Sequence, residues 1–322
     1  MIVRWGLDTL GSVLADMGSA RPFVVASERW SGLELPFEPT GRWTEVPSHR
    51  IDDAAAAARA GDGVVAIGGG SAIDLGKAIS AATELPLVSV PTTYAGAEWT
   101  PYFGVRDPDR RMHGGGSGAR LAGAVYEPEL TLDLPRAETV GTAMNALAHC
   151  AEALYVQGGN EEADAHALEG ARLIEEFLPR VVAGPRALEP RTGLLRGACE
   201  AGQALGGSML ALGHAMAQAL GGRYGLPHGD LNAICLPAAL RFNEPVAPDA
   251  LRRLGTALGT DDPIARVEEL ARLGGFERLR DLGVPADELD EVAEAAAARA
   301  GAKANPRPAS PEQVAELLRS VW

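Results

Sequence analysis

The pattern of the amino-acid sequence changes after Pro135, and this change limits the possible folds more than any other feature. Before it, short β-branched and apolar runs alternate with helical segments, which is typical of βαβ units and a parallel sheet. After it, Ala- and Leu-rich segments follow one another with almost no strand signal. We therefore predict a Rossmann-like α/β domain over residues 1–135 and an all-α domain over residues 136–322.

The element boundaries follow from the same patterns. In the first domain we predict strands at 23–26, 63–67 and 87–90, helices near 51–60 and 71–82, and a hairpin within 101–133 in which GGGSG forms a flexible loop. In the second domain we predict helices over 137–156, 161–177, 189–221, 228–240, 262–281 and 286–299, with a last one from Pro311.

Composition and charge exclude several classes of function. Hydrophobic residues make up 46% of the 322 residues, enough for two packed cores. The net charge of -14 repels polyanions, so we expect no nucleic-acid partner. No apolar run approaches the roughly 20 residues that span a bilayer. The N-terminus lacks the basic segment followed by an apolar segment that is typical of a signal peptide. We expect a cytoplasmic protein that does not enter membranes, with its three cysteines buried and reduced.

A glycine triplet, Gly68, Gly69 and Gly70, follows the predicted strand 63–67 and opens a helix. Glycines let the backbone approach a ligand closely, and the free N–H groups at a helix start suit a pyrophosphate. A tight turn without a ligand is the alternative, since the spacing departs from G-x-G-x-x-G. Ser71 and Asp74 also fit a capping pair, in which case Asp74 serves the helix and not the ligand.

A second loop, containing Thr92, Thr93 and Tyr94, follows the strand 87–90. Ligands of open α/β sheets bind beyond the carboxyl ends of the strands, so both loops are expected at one crevice. The two hydroxyl groups of Thr92 and Thr93 are suited to cofactor phosphate or ribose. An ordinary turn in which the Thr side chains cap backbone groups is the alternative.

Polar pairs interrupt the apolar helices of the second domain. Asn145 and His149 are four residues apart, as are His214 and Gln218, so each pair shares a helix face; His228 follows a Pro. Each histidine taken alone is explained equally well as a satisfied core residue, but three together predict a polar pocket. Three histidines and a carboxylate would bind Fe²⁺ or Zn²⁺. Because Asn145 is uncharged, we predict a pocket without metal.

Together these motifs resemble the iron-containing alcohol dehydrogenase superfamily, which shares its two-domain plan with the dehydroquinate synthases. GGGSAIDLGKAIS resembles the cofactor phosphate loop of that family, and PTTYAGAEWTP resembles its second cofactor and substrate loop. In metal-dependent members an Asp stands where this chain has Asn145, followed by His ligands that match His149, His214 and His228. MNALAHCAEALY, YEPELTLDLP, GLPHGDLNAICLP and NPRPASPEQVAELL are similar to the maleylacetate reductase branch.

The resemblance implies an NADH- or NADPH-dependent, metal-independent reductase that converts maleylacetate, a dicarboxylate, to 3-oxoadipate during the degradation of aromatic compounds, as a homodimer. Residues 1–135 would bind the dinucleotide and residues 136–322 the substrate. The implied catalytic residues are Tyr94, Asn145, His149, His214 and His228. The implied cofactor-binding residues are Gly68, Gly69, Gly70, Ser71, Asp74, Thr92, Thr93, Leu132 and Gln218.

Two departures from the family leave alternatives open. Gln218 stands where members usually carry a second His near the nicotinamide, and the chain is shortened in the N-terminal loops and in the last helices after Asn243. Four other functions are consistent with the sequence. They are a metal-dependent alcohol or polyol dehydrogenase, a non-redox lyase or cyclase that uses NAD, a degenerate nucleotide-binding protein, and a reductase of another unsaturated keto acid. Arg223 and Arg241 are candidates for attracting the dianionic substrate. The sequence Ser27-Glu28-Arg29 does not distinguish NADH from NADPH.

Overall fold

The computed structural model describes all residues from Met1 to Trp322. The chain divides into two compact units, Met1–Thr131 and Leu132–Trp322, a few residues before the predicted boundary.

The first unit contains a six-stranded sheet in which every pair of neighbouring strands is parallel. The strand order is β1-β8-β5-β4-β2-β3. The strands are β1 (Ile2–Trp5), β2 (Pro22–Ala26), β3 (Arg42–Trp43), β4 (Gly63–Gly68), β5 (Pro86–Pro91) and β8 (Arg120–Tyr126).

Strands β2, β4 and β5 are almost entirely buried, as continuous β-branched runs in a covered parallel sheet should be. One face packs with Leu10 and Val13 of α1 (Leu10–Asp16), the other with Ala54 of α2 (Ile51–Ala58) and Ile79 of α3 (Gly70–Thr83). The predicted α/β class of this unit is confirmed.

The hairpin differs from the prediction. Its antiparallel strands are β6 (Phe103–Arg106) and β7 (Met112–Gly116), so most of the expected GGGSG loop is part of a strand. The segment 120–126 is not a hairpin partner, because it pairs with β1 and β5 in the main sheet. Glycines from 114 to 116 gave a loop signal, but cross-strand pairing with 103–105 holds them extended.

The second unit is all α-helical, as predicted. Its helices are α4 (Arg136–Ala153), α5 (Glu161–Ala183), α6 (Leu188–Gly207), α7 (Leu212–Tyr224), α8 (His228–Asn243), α9 (Pro248–Ala257), α10 (Pro263–Arg272), α11 (Leu289–Ala297), α12 (Ala300–Ala304) and α13 (Pro311–Ser320).

The expected single helix over 189–221 is wrong, because it is broken between α6 and α7. Extended backbone at Ser208 and Ala211 ends one helix and starts the next. The expected helix over 262–281 ends at Arg272, and α9 was missed. The three cysteines are buried and form no disulfide, as expected. No helix of the structure has both the length and the apolar character needed to cross a membrane.

Candidate active site

The glycine loop of the first unit connects β4 directly to α3. Gly68 adopts a φ of 148°, which L side chains rarely reach, and its carbonyl accepts a hydrogen bond from Thr92 N at 3.0 Å. Gly69 is the N-cap of α3, and no side chain caps this helix end. Because the first N–H groups of a helix have no intrahelical acceptor, the loop offers free donors to an anion.

Two of the glycines differ in the space around them. A Cβ on Gly69 would lie 2.9 Å from Thr93 Cγ2, whereas a Cβ on Gly70 would meet nothing within 4 Å. Gly69 is therefore needed for close packing of the two loops. No neighbouring protein atom requires a glycine at position 70. Close approach of a ligand would explain the glycine there.

Ser71 and Asp74 do not form the capping pair that the sequence offered as an alternative to cofactor binding. The helix starts at Gly70, one residue earlier than predicted, and Ser71 is an exposed residue within its first turn. Asp74 instead accepts a hydrogen bond from Gly104 N at 3.2 Å and pairs with the buried Lys77 Nζ at 3.0 Å. It attaches the hairpin to α3, so its contacts are structural.

The second loop starts at the same edge of the sheet as the glycine loop, because Gly68 and Pro91 are paired across β4 and β5. Thr92 is buried and Thr93 is partly exposed. Tyr94, expected to contact substrate, is fully buried. The two loops thus lie side by side, as the sequence predicted, with Thr93 as the more accessible hydroxyl.

A buried network that the sequence did not reveal holds this second loop. Tyr126 Oη donates to Glu98 Oε1 at 2.7 Å, and Trp99 Nε1 donates to Tyr126 Oη at 2.8 Å. Burial raises the pKa of Glu98, although the hydrogen bond from Tyr126 and the charge of Lys77 oppose that shift. The network links the end of the loop to the last residue of β8.

In the second unit, the three predicted histidines come together. The rings of His149 and His214 are stacked with centroids 4.7 Å apart, and His228 lies 5.7 Å from His214 at a tilt of 48°. They come from α4, α7 and α8 respectively. His149 and His214 are buried, and His228 is partly exposed at the start of its helix. The three histidines that the sequence predicted to lie together therefore form a cluster.

Glu152, which the sequence analysis did not select, orients the central ring of the cluster. Its fully buried carboxylate accepts hydrogen bonds from His214 Nδ1 at 2.8 Å, His214 N at 3.1 Å and Ala211 N at 2.6 Å. The hydrogen on His214 Nδ1 therefore points to Glu152, and Nε2, which has no partner in the protein, faces away. A signal existed: Glu152 is a lone acid in an apolar helical stretch, three residues after His149.

Asn145 and His149 form the second oriented pair of the cluster. Asn232 Nδ2 donates to Asn145 Oδ1 at 2.6 Å, which leaves Asn145 Nδ2 to face His149 Nε2 at 3.4 Å. Burial, followed by the charges of His214 and His228, holds the pKa of His149 well below its usual value. His149 is therefore neutral near pH 7.

This donor set fits a divalent cation poorly. The only carboxylate in the cluster, Glu152, already accepts three hydrogen bonds, and the Asn145 oxygen accepts one from Asn232. The rings of His149 and His214 are stacked on each other, and no three His, Cys, Asp or Glu side chains are placed to share a metal ion. A dication here would gain little charge compensation.

The remaining predicted residues lie in different surroundings. Gln218 is one turn after His214 on α7 and is partly exposed. Its Oε1 and its backbone carbonyl accept hydrogen bonds from Arg299 at 3.4 and 3.2 Å. Leu132, the first residue of the second unit, is half-buried. Arg223 pairs with Glu288 and Arg241 pairs with Glu268, so neither guanidinium is free to attract a substrate.

Two family models match the chain. The model described as "Iron-containing alcohol dehydrogenase" covers residues 4–122. The model described as "Fe-containing alcohol dehydrogenase family, C-terminal" covers residues 139–322. Together they take in nearly the whole of both units.

Curated relatives and solved structures agree with these models. The chain is 39% identical to a maleylacetate reductase of Sphingobium indicum over 85% of its own length and 78% of the relative's. It is 35% identical to one of Burkholderia cepacia, over 98% and 91%. The crystal structure of a maleylacetate reductase from Agrobacterium tumefaciens has a TM-score of 0.89 and 32% identity, covering 100% of this chain and 95% of that one.

Proposed function

The chain belongs to the iron-containing alcohol dehydrogenase family and is an NAD(P)H-dependent oxidoreductase, and we propose that it reduces maleylacetate, or a closely related unsaturated keto acid, without a metal. The product from maleylacetate would be 3-oxoadipate. Maleylacetate reductases are the relatives in support of this substrate class. A cytoplasmic homodimer that acts in the degradation of aromatic compounds stays a prediction.

The observation that carries the proposal is the uncharged pair Asn145 and Asn232 next to the histidine cluster. The family resemblance implies that Asn145 stands where metal-dependent members have a carboxylate, and Asn232 donates a hydrogen bond to its oxygen at 2.6 Å. The cluster is thus organised by hydrogen bonds between its own side chains. A reaction that needs a proton or hydrogen-bond donor suits it better than one that needs a bound dication.

The loops of the first unit suit the cofactor. The free N–H groups at the start of α3 and the open space at Gly70 would hold the pyrophosphate, and Thr93 would contact phosphate or ribose. When bound, NADH or NADPH supplies the hydride that the reduction requires. Asp74 is left out of this set because its carboxylate is engaged by Gly104 and Lys77.

The histidine cluster would stabilise the negative charge that develops on the ketone oxygen as the conjugated C=C bond is reduced. The carbon next to the ketone, the α-carbon of the enolate, then takes a proton, and the ketone forms again. His228 is the best-placed proton donor, since it is partly exposed and can be reprotonated from solvent. His214, oriented by Glu152, presents Nε2 as the second polar contact. Neutral His149 would support the stack by packing against His214.

The test is the oxidation of NADH and of NADPH with freshly prepared maleylacetate, with and without a chelator. We expect chelator-insensitive turnover, and the faster cofactor identifies the physiological one. Turnover that appears only after Fe²⁺ or Zn²⁺ is added would overturn the metal-independent reaction and favour an alcohol dehydrogenase. Absence of turnover with both cofactors, in protein that binds them, would overturn the substrate.

A further inference from the structure

Arg299, in the second unit, is an arginine whose side chain is incompletely hydrogen-bonded. It follows α11, is half-buried, and has no carboxylate partner, although the chain holds 43 acidic residues against 29 basic ones. The hydrogen bonds of its side chain are the two to Gln218, both longer than 3 Å. Its Nε is buried without any acceptor. A buried donor on a charged group is costly when left unpaired, and the long hydrogen bonds to Gln218 leave this guanidinium able to bind a further acceptor.

The backbone near Arg299 is fixed against α7. A Cβ on Gly301 would lie 2.7 Å from the carbonyl oxygen of Ala211, so α12 touches the first turn of α7 directly. From there the Arg299 side chain reaches Gln218, one turn beyond His214 on the same helix. One helical turn corresponds to about 5.4 Å along the axis. The guanidinium is therefore held against α7 at Gln218, one helical turn beyond His214.

Gln218 complements this placement. Its Oε1 accepts from Arg299, which leaves the two N–H bonds of its Nε2 directed away from the guanidinium and free for a ligand. A planar guanidinium beside an amide N–H group matches the geometry of a carboxylate, which accepts hydrogen bonds on both oxygens.

We propose that Arg299 and Gln218 form a carboxylate-binding subsite that holds one end of a dicarboxylate substrate next to the histidine cluster. The inference rests on the proposed function for the identity of the substrate, but the subsite itself is a binding property. Arg223 and Arg241, the arginines suggested by sequence, are neutralised by glutamates, so Arg299 takes the role expected of them.

The experiment measures binding by isothermal titration calorimetry on the full chain, with 3-oxoadipate, levulinate and 3-oxohexanoate. The last two each lack one carboxylate of the first. In Arg299→Gln we expect the Kd of 3-oxoadipate to rise about tenfold to hundredfold, as for a lost hydrogen bond to a charged group. One monocarboxylate should lose affinity similarly. The other, which lacks the recognised carboxylate, should bind as it does to the wild type.

Two further variants guard against a general effect on folding. Gln218→Glu keeps the shape of the side chain but gives Arg299 an anionic partner, so it should weaken the dicarboxylate selectively. Arg307→Gln is the matched control: Arg307 is also half-buried, with a buried unpartnered Nε, but it stacks on Phe242 at the far end of α8 from His228. It should leave all three affinities unchanged.

The proposal is overturned if Arg299→Gln binds all three keto acids as the wild type does, if it loses affinity equally for all three, or if the wild type fails to bind 3-oxoadipate. Failure of the proposed function gives a different result. Selective binding through Arg299 without any reduction of maleylacetate would retain the subsite and reject the substrate. Normal reduction of maleylacetate with unchanged affinities in Arg299→Gln would retain the proposed substrate and reject the subsite.

Discussion

In the first unit the groups offered to a ligand are backbone N–H groups at a glycine turn, whereas in the second unit they are side chains held by other buried side chains. The glycine loop needs a strand, a turn and a helix in succession. The histidine cluster needs three helices and a carboxylate whose partners lie 59 and 62 residues away along the chain. A substitution in the glycine loop of the first unit should therefore affect only neighbouring residues. A substitution in the histidine cluster of the second unit should also disturb the side chains that are hydrogen-bonded to the replaced residue.

The largest effect is expected from Glu152→Gln. The amide can accept but also donates, so at least one of the three N–H groups that face Glu152 would meet another donor. We expect unfolding free energy to fall by about 1–3 kcal/mol and turnover to fall by about 10²-fold or more, as when an orienting carboxylate is lost. Urea denaturation and steady-state kinetics measure the two losses.

The matched control is Glu200→Gln, which breaks a second His–Glu contact on the same unit. His166 Nδ1 and Glu200 Oε2 are 2.6 Å apart, but both side chains are about 30% exposed. Water can replace either partner, so the cost should stay below about 1 kcal/mol, with activity unchanged. Equal losses in the two variants would remove the distinction between an orienting carboxylate and an ordinary ion pair.

His228→Asn should abolish most turnover without unfolding the protein. The side chain is partly exposed at a helix start, so its loss leaves no buried cavity. Loss of a general acid typically lowers the rate by about 10²–10⁴-fold. Thermal unfolding should be unchanged, and His166→Asn provides the comparison for a histidine outside the cluster. Retention of wild-type turnover in His228→Asn would assign the proton donor elsewhere.

Gly70→Ala tests whether the first unit depends on backbone access for ligand binding. Nothing lies within 4 Å of the added Cβ, and Ala favours a helix by up to about 1 kcal/mol over Gly, so stability should hold or rise slightly. The KM for NADH or NADPH should nevertheless increase about tenfold, roughly the effect of one lost charged hydrogen bond. An unchanged KM would mean that the glycine serves the turn alone.

The smallest effect concerns pH. The pKa of His149 is lower in the folded protein than in the unfolded chain, so below about pH 6.5 the unfolded state binds the additional proton. Stability from this residue is therefore complete above that pH and decreases as pH falls. The loss is at most about 1.4 kcal/mol per pH unit. Denaturation curves at pH 7.5 and 5.5 for the wild type and His149→Gln measure it, with a shallower dependence expected in the variant.

The part of the site that could be predicted is the part specified by local pattern. A buried β-branched run followed by Gly68–Gly70 predicts a loop with free N–H groups, because both strand and turn follow from neighbouring residues. The spacing of Asn145 and His149 predicts a shared helix face for the same reason. The contacts of Asp74 could not be predicted in this way, because its hydrogen bond with Gly104 joins residues that are 30 positions apart in the sequence.

Sequence by itself thus determined the α/β unit, the all-α unit, the glycine turn and the identity of the polar residues in the helical half. Only the tertiary structure decided which of them touch. The break between α6 and α7 places Ala211 N against Glu152, Asn232 selects the orientation of Asn145, and the segment after α11 brings Arg299 to Gln218. These outcomes depend on long-range packing of buried polar groups, where each donor must find an acceptor, and no local periodicity encodes that choice.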